Sequence, residues 1–127
     1  MISEIGPPDI IIDDGSHMNA HVITAFELLF PLLREGGIYA VEDLQTSYWP
    51  SFGGAIRPDE GPQTSMRFFR GLIDGLNHSE YLIPGYEPTT YDRHIVAMHF
   101  YHNLMFIHKG RNDEGSNIVR DGHSPLE

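Results

Sequence analysis

Two short β-branched runs that end abruptly in carboxylates, Ile10-Ile11-Ile12-Asp13-Asp14 and Ile38-Tyr39-Ala40-Val41-Glu42-Asp43, constrain this chain more than any other feature. Between them lies an apolar stripe at helical spacing: Val22, Ile23, Phe26, Leu29 and Leu33. A strand, a helix and a second strand in that order form a right-handed crossover, which sets the strands parallel and close together. In an open α/β sheet such strands deliver their C-terminal ends to one crevice, where ligands bind. The spacing therefore predicts that Asp14, Glu42 and Asp43 converge, with His17 one helical step away.

The rest of the chain fits around this unit. Residues 1–8 read as a short leader stopped by Pro7-Pro8. Asp9–Asp14 is apolar on both faces, as a covered central parallel strand would be, and Gly15 turns the chain out of it. A helix is expected from Asn19, broken near Leu29–Phe30 by Pro31 and stopped by Arg34-Glu35-Gly36-Gly37. Ile38–Val41 is the next strand. Residues 44–63, rich in Gly and Pro, read as a long binding loop or lid. Thr64–His78 predicts a second amphipathic helix with Met66, Phe69, Leu72, Ile73 and Leu76 inward. A loop over 79–93 leads to His94–His108, read as an antiparallel hairpin turning at His102-Asn103. Past Lys109 the sequence is polar and aperiodic, so residues 111–127 are expected to form a loose tail on a unit of residues 1–110.

With 127 residues there is room for one small domain. The net charge of −10 leaves no cluster of Lys and Arg for counterion release, so neither nucleic acid nor an anionic membrane is an expected partner. No apolar run approaches the roughly 20 residues of a membrane span, and no signal-peptide pattern opens the sequence. The absence of cysteine excludes disulfides and thiolate metal sites and fits a cytoplasmic location.

Asp14, Glu42 and Asp43 offer oxygen ligands, which suit Mg²⁺, Ca²⁺ or Mn²⁺ better than zinc. A hydroxyl beside such an ion becomes more acidic, and His17, with an ordinary pKa of about 6.5, is placed to take its proton. Other readings stand beside this one. Asp13 or Asp14 could simply form a turn or cap the following helix. His17 and His21, four residues apart, could pair on zinc, although the Glu of a zinc-peptidase motif is missing between them. A carboxylate-metal hydrolase would use His17 on water instead. Tyr48 and Trp49 either anchor the long loop or wall a substrate site.

The stretch Asp9–Trp49, with Asp-Asp-Gly-Ser-His, Phe-Pro-Leu-Leu-Arg-Glu-Gly-Gly and Glu-Asp-Leu-Gln-Thr-Ser-Tyr-Trp, resembles the S-adenosylmethionine-dependent sugar O-methyltransferases of macrolide biosynthesis, of the mycinamicin and tylosin deoxysugar type. His99-Phe-Tyr-His-Asn103 and the Phe-Ile-His-Lys-Gly ending at Gly110 are similar to that family's terminal hairpin. The resemblance implies a partial Rossmann-like class I methyltransferase fold, α/β, with parallel strands, helices and a C-terminal antiparallel hairpin. In the family order 3-2-1-4-5-7-6 the chain would supply strands 4, 5, 7 and 6.

The resemblance also implies Asp14, Glu42 and Asp43 as ligands of Mg²⁺, His17 as the catalytic base, and Asp13 and Asp14 near S-adenosylmethionine. Catechol O-methyltransferases share the layout, with an acidic pair beginning 28 residues past the first acid, as Glu42 lies from Asp14. The implied substrate is a sugar or glycoside, with Tyr48 and Trp49 beside it. The family's glycine-rich cofactor loop and ribose-binding acid have no counterpart here, so the chain is expected to be a C-terminal half, incomplete alone. Its first strand would then be an open edge, taken by a second copy or by a separate N-terminal half. A non-catalytic remnant, or a dimeric interaction module that retains only the carboxylates, is the rival expectation.

Overall fold

The computed structural model describes residues 5–127; residues 1–4 of the expected leader lie outside them. Four strands, β1 (Ile10–Asp13), β2 (Ile38–Glu42), β3 (Ile95–Tyr101) and β4 (Leu104–Lys109), form one sheet in the order β1-β2-β4-β3. β1 and β2 run parallel, with Ile10 opposite Ile38 and Asp13 opposite Val41. β4 is antiparallel to both β2 and β3. This is the expected order. The hairpin turns where it was expected, with Asn103 at φ 59°, a left-handed conformation that asparagine tolerates.

Helix α1 (Asn19–Leu29) crosses from β1 to β2 and passes into a 3₁₀ turn, Phe30–Leu32, at Pro31. The single lysine finishes this turn. Lys109 Nζ donates to the carbonyls of Phe30, Pro31 and Leu33 at 3.0, 3.1 and 2.8 Å, placing a cation at the C-terminal end of the turn, where carbonyls gather. Phe26 is the centre of the core. Its ring lies within 4.9 to 6.0 Å of the rings of Phe30, Tyr39, Phe68, Phe69 and Tyr91. Val22 and Leu33 from the predicted stripe are buried with it, whereas Leu29 is partly exposed.

The long helix expected over 64–78 is broken. Only α2 (Ser65–Arg70) is helical, capped by Thr64 Oγ1, which accepts from Arg67 N–H at 3.1 Å. A 3₁₀ segment, Asp74–Glu80, follows a turn. The apolar period was legible, but Gly71 and Gly75 weaken a continuous helix. Gly75 leaves room for the Asp92 carboxylate, with which a Cβ would collide. Ile73, expected inward, is consequently exposed.

The loop expected over 79–93 contains a short helix, α3 (Thr90–His94), opened by a capping box between Thr89 and Asp92. The buried Asp92 also accepts from Tyr86 Oη at 2.5 Å, and that bond, with burial and the carboxylate's charge, pushes the Tyr86 phenol up to about 12. A raised phenol pKa contributes stability that is complete below about 10 and is lost as pH rises through the folded value. Tyr86→Phe is therefore expected to lose less stability than the parent between pH 10 and 12, read by denaturant midpoints at each pH.

Residues past Lys109 form no helix or longer strand, only the Arg120–His123 bridge. They are nonetheless tied down. Asn112 Nδ2 donates to the carbonyls of Gly75, Leu76 and Asp92, and Ser116 Oγ to Glu80.

All these helices contribute to the core on one face of the sheet, with Tyr39, Val41, Met105 and Ile107. The opposite face carries Ile10, Ile12, Ile38, Leu104, Phe106 and Tyr101 by strand alternation. It stays open: Ile10 and Ile12 are each 61% exposed and Tyr101 60%. Thus β1 has the composition of a central strand but stands at the edge of the sheet, as the resemblance implied. No helix among the described residues is long and apolar enough to cross a membrane.

Candidate metal centre

The centre is built where β1 and β2 end. Asp13 Oδ1 accepts from Gly15 N–H at 3.2 Å, so Asp13 is the acid that forms the turn. Neither Asp13 nor Asp14 caps α1, whose N-cap is Met18 without a side-chain bond. The Asp14 carboxylate is left free of the helix. The next loop residue, His17, takes φ 63°, and the residue after β2, Asp43, takes φ 58°. Aspartate tolerates the left-handed region better than histidine, but neither adopts it without cost, and such strain gathers at functional sites.

These turns bring Asp14, His17 and Asp43 together, with one ligand atom from each within 4.8 Å of the others. His17 Nε2 lies 3.3 Å from Asp43 Oδ2 and 3.8 Å from Asp14 Oδ1. Gln45 Nε2 donates to Asp43 Oδ1 at 3.1 Å, which leaves Oδ2 turned to the imidazole. Gln45 Oε1 is buried without a partner among the described residues. Neither carboxylate pairs with Arg or Lys among the described residues. Two unneutralised oxygen donors around one imidazole fit a hard divalent cation.

Glu42 is not in this cluster. As the last residue of β2 it pairs with Leu104 and falls on the open face by alternation. His21 is also elsewhere: its Nδ1 lies 2.8 Å from Ser16 Oγ, and His17 precedes the helix, so the helical spacing of a zinc pair is not realised.

Tyr48 ends a 3₁₀ turn, Leu44–Tyr48, that follows Asp43, Trp49 leaves it in an extended conformation, and the two are 42% and 48% exposed. Trp49 packs against Phe52 with centroids 5.9 Å apart. The loop is held tightly by backbone contact. Gly54 lies so close to Thr46, Ser47 and Trp49 that no Cβ would fit.

Beside the centre, along the open edge of β1, lies a concavity of about 340 Å³ lined by Ile11, Ile12, Asp13, Asp14, Leu29 and Tyr39. The Tyr39 hydroxyl is fully buried there and has no hydrogen-bond partner among the described residues. Its burial, and then the nearby Asp13 charge, push its pKa well above the ordinary tyrosine value. It therefore stays a donor in search of an acceptor.

Sequence reasoning missed Asn19, Gln45, Ser47 and Ser65, the polar groups that fix the loop after β2. One signal was present. Asn19 occupies the buried stripe of α1, three residues before Val22 and seven before Phe26, where an apolar residue is expected.

No family model matches the chain. The mycinamicin VI 2''-O-methyltransferase of Micromonospora griseorubida is 53% identical over 111 residues, 87% of this chain and 28% of the relative. The demethylmacrocin O-methyltransferase of Streptomyces fradiae is 50% identical over 118 residues, 91% of this chain and 29% of the relative. This chain is homologous to one segment of the antibiotic sugar O-methyltransferases. It spans under a third of the length of these curated relatives.

The MycE methyltransferase of the mycinamycin biosynthetic pathway, solved in complex with Mg and SAH, matches 94% of this chain and 32% of its own, at 50% identity and a TM-score of 0.84. A complex that also holds mycinamycin VI matches at a TM-score of 0.82 and 51% identity. The architecture is thus a partial class I methyltransferase fold, as the motifs implied.

Proposed function

We propose that this chain carries the metal and base side of an S-adenosylmethionine- and Mg²⁺-dependent O-methyltransferase acting on a sugar hydroxyl of a natural product, in the cytoplasm. The observation that carries the reading is the convergence of Asp14, His17 and Asp43 at two parallel strand ends, with no Arg or Lys among the described residues paired to the carboxylates. Homology to sugar O-methyltransferases supports the same chemistry.

Asp14 and Asp43 would hold Mg²⁺, with Glu42 the adjoining carboxylate the family pattern adds. When bound, the ion acidifies a coordinated hydroxyl and fixes its orientation. His17 Nε2 takes the hydroxyl proton, and Asp43, 3.3 Å away, stabilises the imidazolium that results. The acceptor oxygen then forms a bond to the methyl carbon as the carbon–sulfur bond breaks, leaving S-adenosylhomocysteine, with the proton on His17. Asp13 and Asp14 lie on the cofactor side, and the exposed Tyr48 and Trp49 flank the acceptor.

The open edge of β1, the bare sheet face and the unpaired Tyr39 hydroxyl support a further part of this reading. The sheet is completed by another polypeptide strand, from a second copy or from the part of the methyltransferase this chain does not span. Light scattering across a concentration series is expected to show self-association that Ile10→Lys with Ile12→Lys abolishes. A parent chain that stays monomeric at millimolar concentration would count against association between copies.

Calorimetry tests the cofactor reading. Mg²⁺ is expected to bind the chain alone. S-adenosylmethionine is expected to bind once the unmatched remainder of the mycinamicin VI relative is added. Hydrolytic turnover without the methyl donor would replace this reading with the metal-hydrolase one.

A further inference from the structure

Asn19 opens α1, yet nothing local requires an amide there, since the N-cap is Met18 and alanine is a better helix former. It is 1% exposed, and its amide is fully engaged with residues distant in sequence. Nδ2 donates to the carbonyls of Thr46 at 2.9 Å and Phe52 at 3.0 Å. Oδ1 accepts from Ser65 N–H at 2.8 Å and from Ser65 Oγ at 3.1 Å. Two donors and two acceptor sites are thus satisfied in a buried position, where an unmet group would be costly.

Two of the three partners of this amide, Thr46 and Phe52, lie on the segment that leaves Asp43, and the third, Ser65, opens α2. Thr46 returns both its N–H, at 3.4 Å, and its Oγ1, at 3.3 Å, to the Asp43 carbonyl. Ser47 Oγ closes the circle, 2.9 Å from Ser65 Oγ and accepting from Met66 N–H at 3.2 Å. On the other side, Asn19 follows His17 by two residues. The two left-handed residues of the centre therefore sit upstream of one shared side chain, which joins the loop after β1 to the loop after β2. Left-handed backbone at His17 and Asp43 is strained and persists only where neighbouring structure enforces it.

We propose that Asn19 is a positioning residue: it sets the separation of His17 from Asp43, and through it the affinity of the centre for a divalent cation. The cation half of this statement rests on the proposed function; the geometric half does not.

The test uses Asn19→Leu, close in shape and unable to make any of the four bonds, with Asn19→Ser as a milder variant. Ile107→Val, a core change remote from the network, is the control. In whichever Asn19 variant folds, a crystal structure is expected to show the His17–Asp43 gap opened beyond hydrogen-bond reach from its 3.3 Å. Mn²⁺ affinity by calorimetry is expected to fall about tenfold, as for other groups that orient a metal ligand, while Ile107→Val keeps both. A gap unchanged in a folded Asn19 variant overturns the proposal, as does an equal loss of affinity in Ile107→Val. Failure of both Asn19 variants to fold would assign the residue to folding and overturn it too. If the parent binds no Mn²⁺, the metal reading fails, and the crystallographic gap still decides the role of Asn19.

Discussion

Asp43→Asn is expected to weaken Mg²⁺ binding by at least about a hundredfold while leaving the melting temperature nearly unchanged. Loss of groups that merely orient a ligand costs about 10- to 100-fold in metal affinity, so loss of a ligand charge should cost no less. The choice of asparagine matters. Asp43 sits at φ 58°, which asparagine tolerates and alanine does not, so the amide removes the charge without adding backbone strain. Gln45 Nε2 can still donate to the remaining carbonyl oxygen. The carboxylate is 41% exposed and among the described residues has only His17 as an ionic partner, so little folding energy depends on it. Calorimetric titration with Mg²⁺ beside a thermal melt separates the two effects. Unchanged Mg²⁺ affinity in a folded Asp43→Asn chain would remove Asp43 from the centre.

Phe26→Ala should have the opposite profile, with a large loss of stability and no direct contact with the centre. Phe26 is fully buried and touches five aromatic rings drawn from the 3₁₀ turn after α1, β2, α2 and α3. Truncating such a ring costs about 3–5 kcal/mol through lost transfer energy and the cavity left behind. Against a total stability of about 5–15 kcal/mol this is a large share, and the midpoint should fall by roughly 10–20 °C. Urea unfolding at 25 °C gives the number. A loss below about 1 kcal/mol would mean that the ring cluster does not hold the helices to the sheet.

What could be read from the residues, and what could not, divides along physical lines. β1, α1 and β2 were legible because their apolar period is long and their ends are marked by carboxylates and glycines. The meeting of Asp14, His17 and Asp43 followed from the parallel crossover alone. Glu42 shows the limit of that reasoning. Asp43 leaves the strand in a left-handed conformation at φ 58°, and spacing along the chain does not report how that turn separates its carboxylate from that of Glu42.

The region from Thr64 to His94 was less legible for a different reason. Its apolar residues kept a helical period, but Gly75 is dictated by the Asp92 carboxylate packed against it, a tertiary contact seventeen residues away. The Thr89-x-x-Asp92 capping box was present in the sequence and would have marked α3. Asn19 was read as the start of a helix; that its amide spans to Thr46, Phe52 and Ser65 is visible only once the loops are packed.

The most direct test of the account is transfer of a labelled methyl group. The chain would be mixed with the unmatched remainder of the mycinamicin VI relative, labelled S-adenosylmethionine and mycinamicin VI, with Mg²⁺ or with a chelator. Label is expected on the glycoside only with Mg²⁺ present, and is expected to be lost in both His17→Ala and Asp43→Asn. Label transfer that survives chelation, or that is unchanged in His17→Ala, would contradict it.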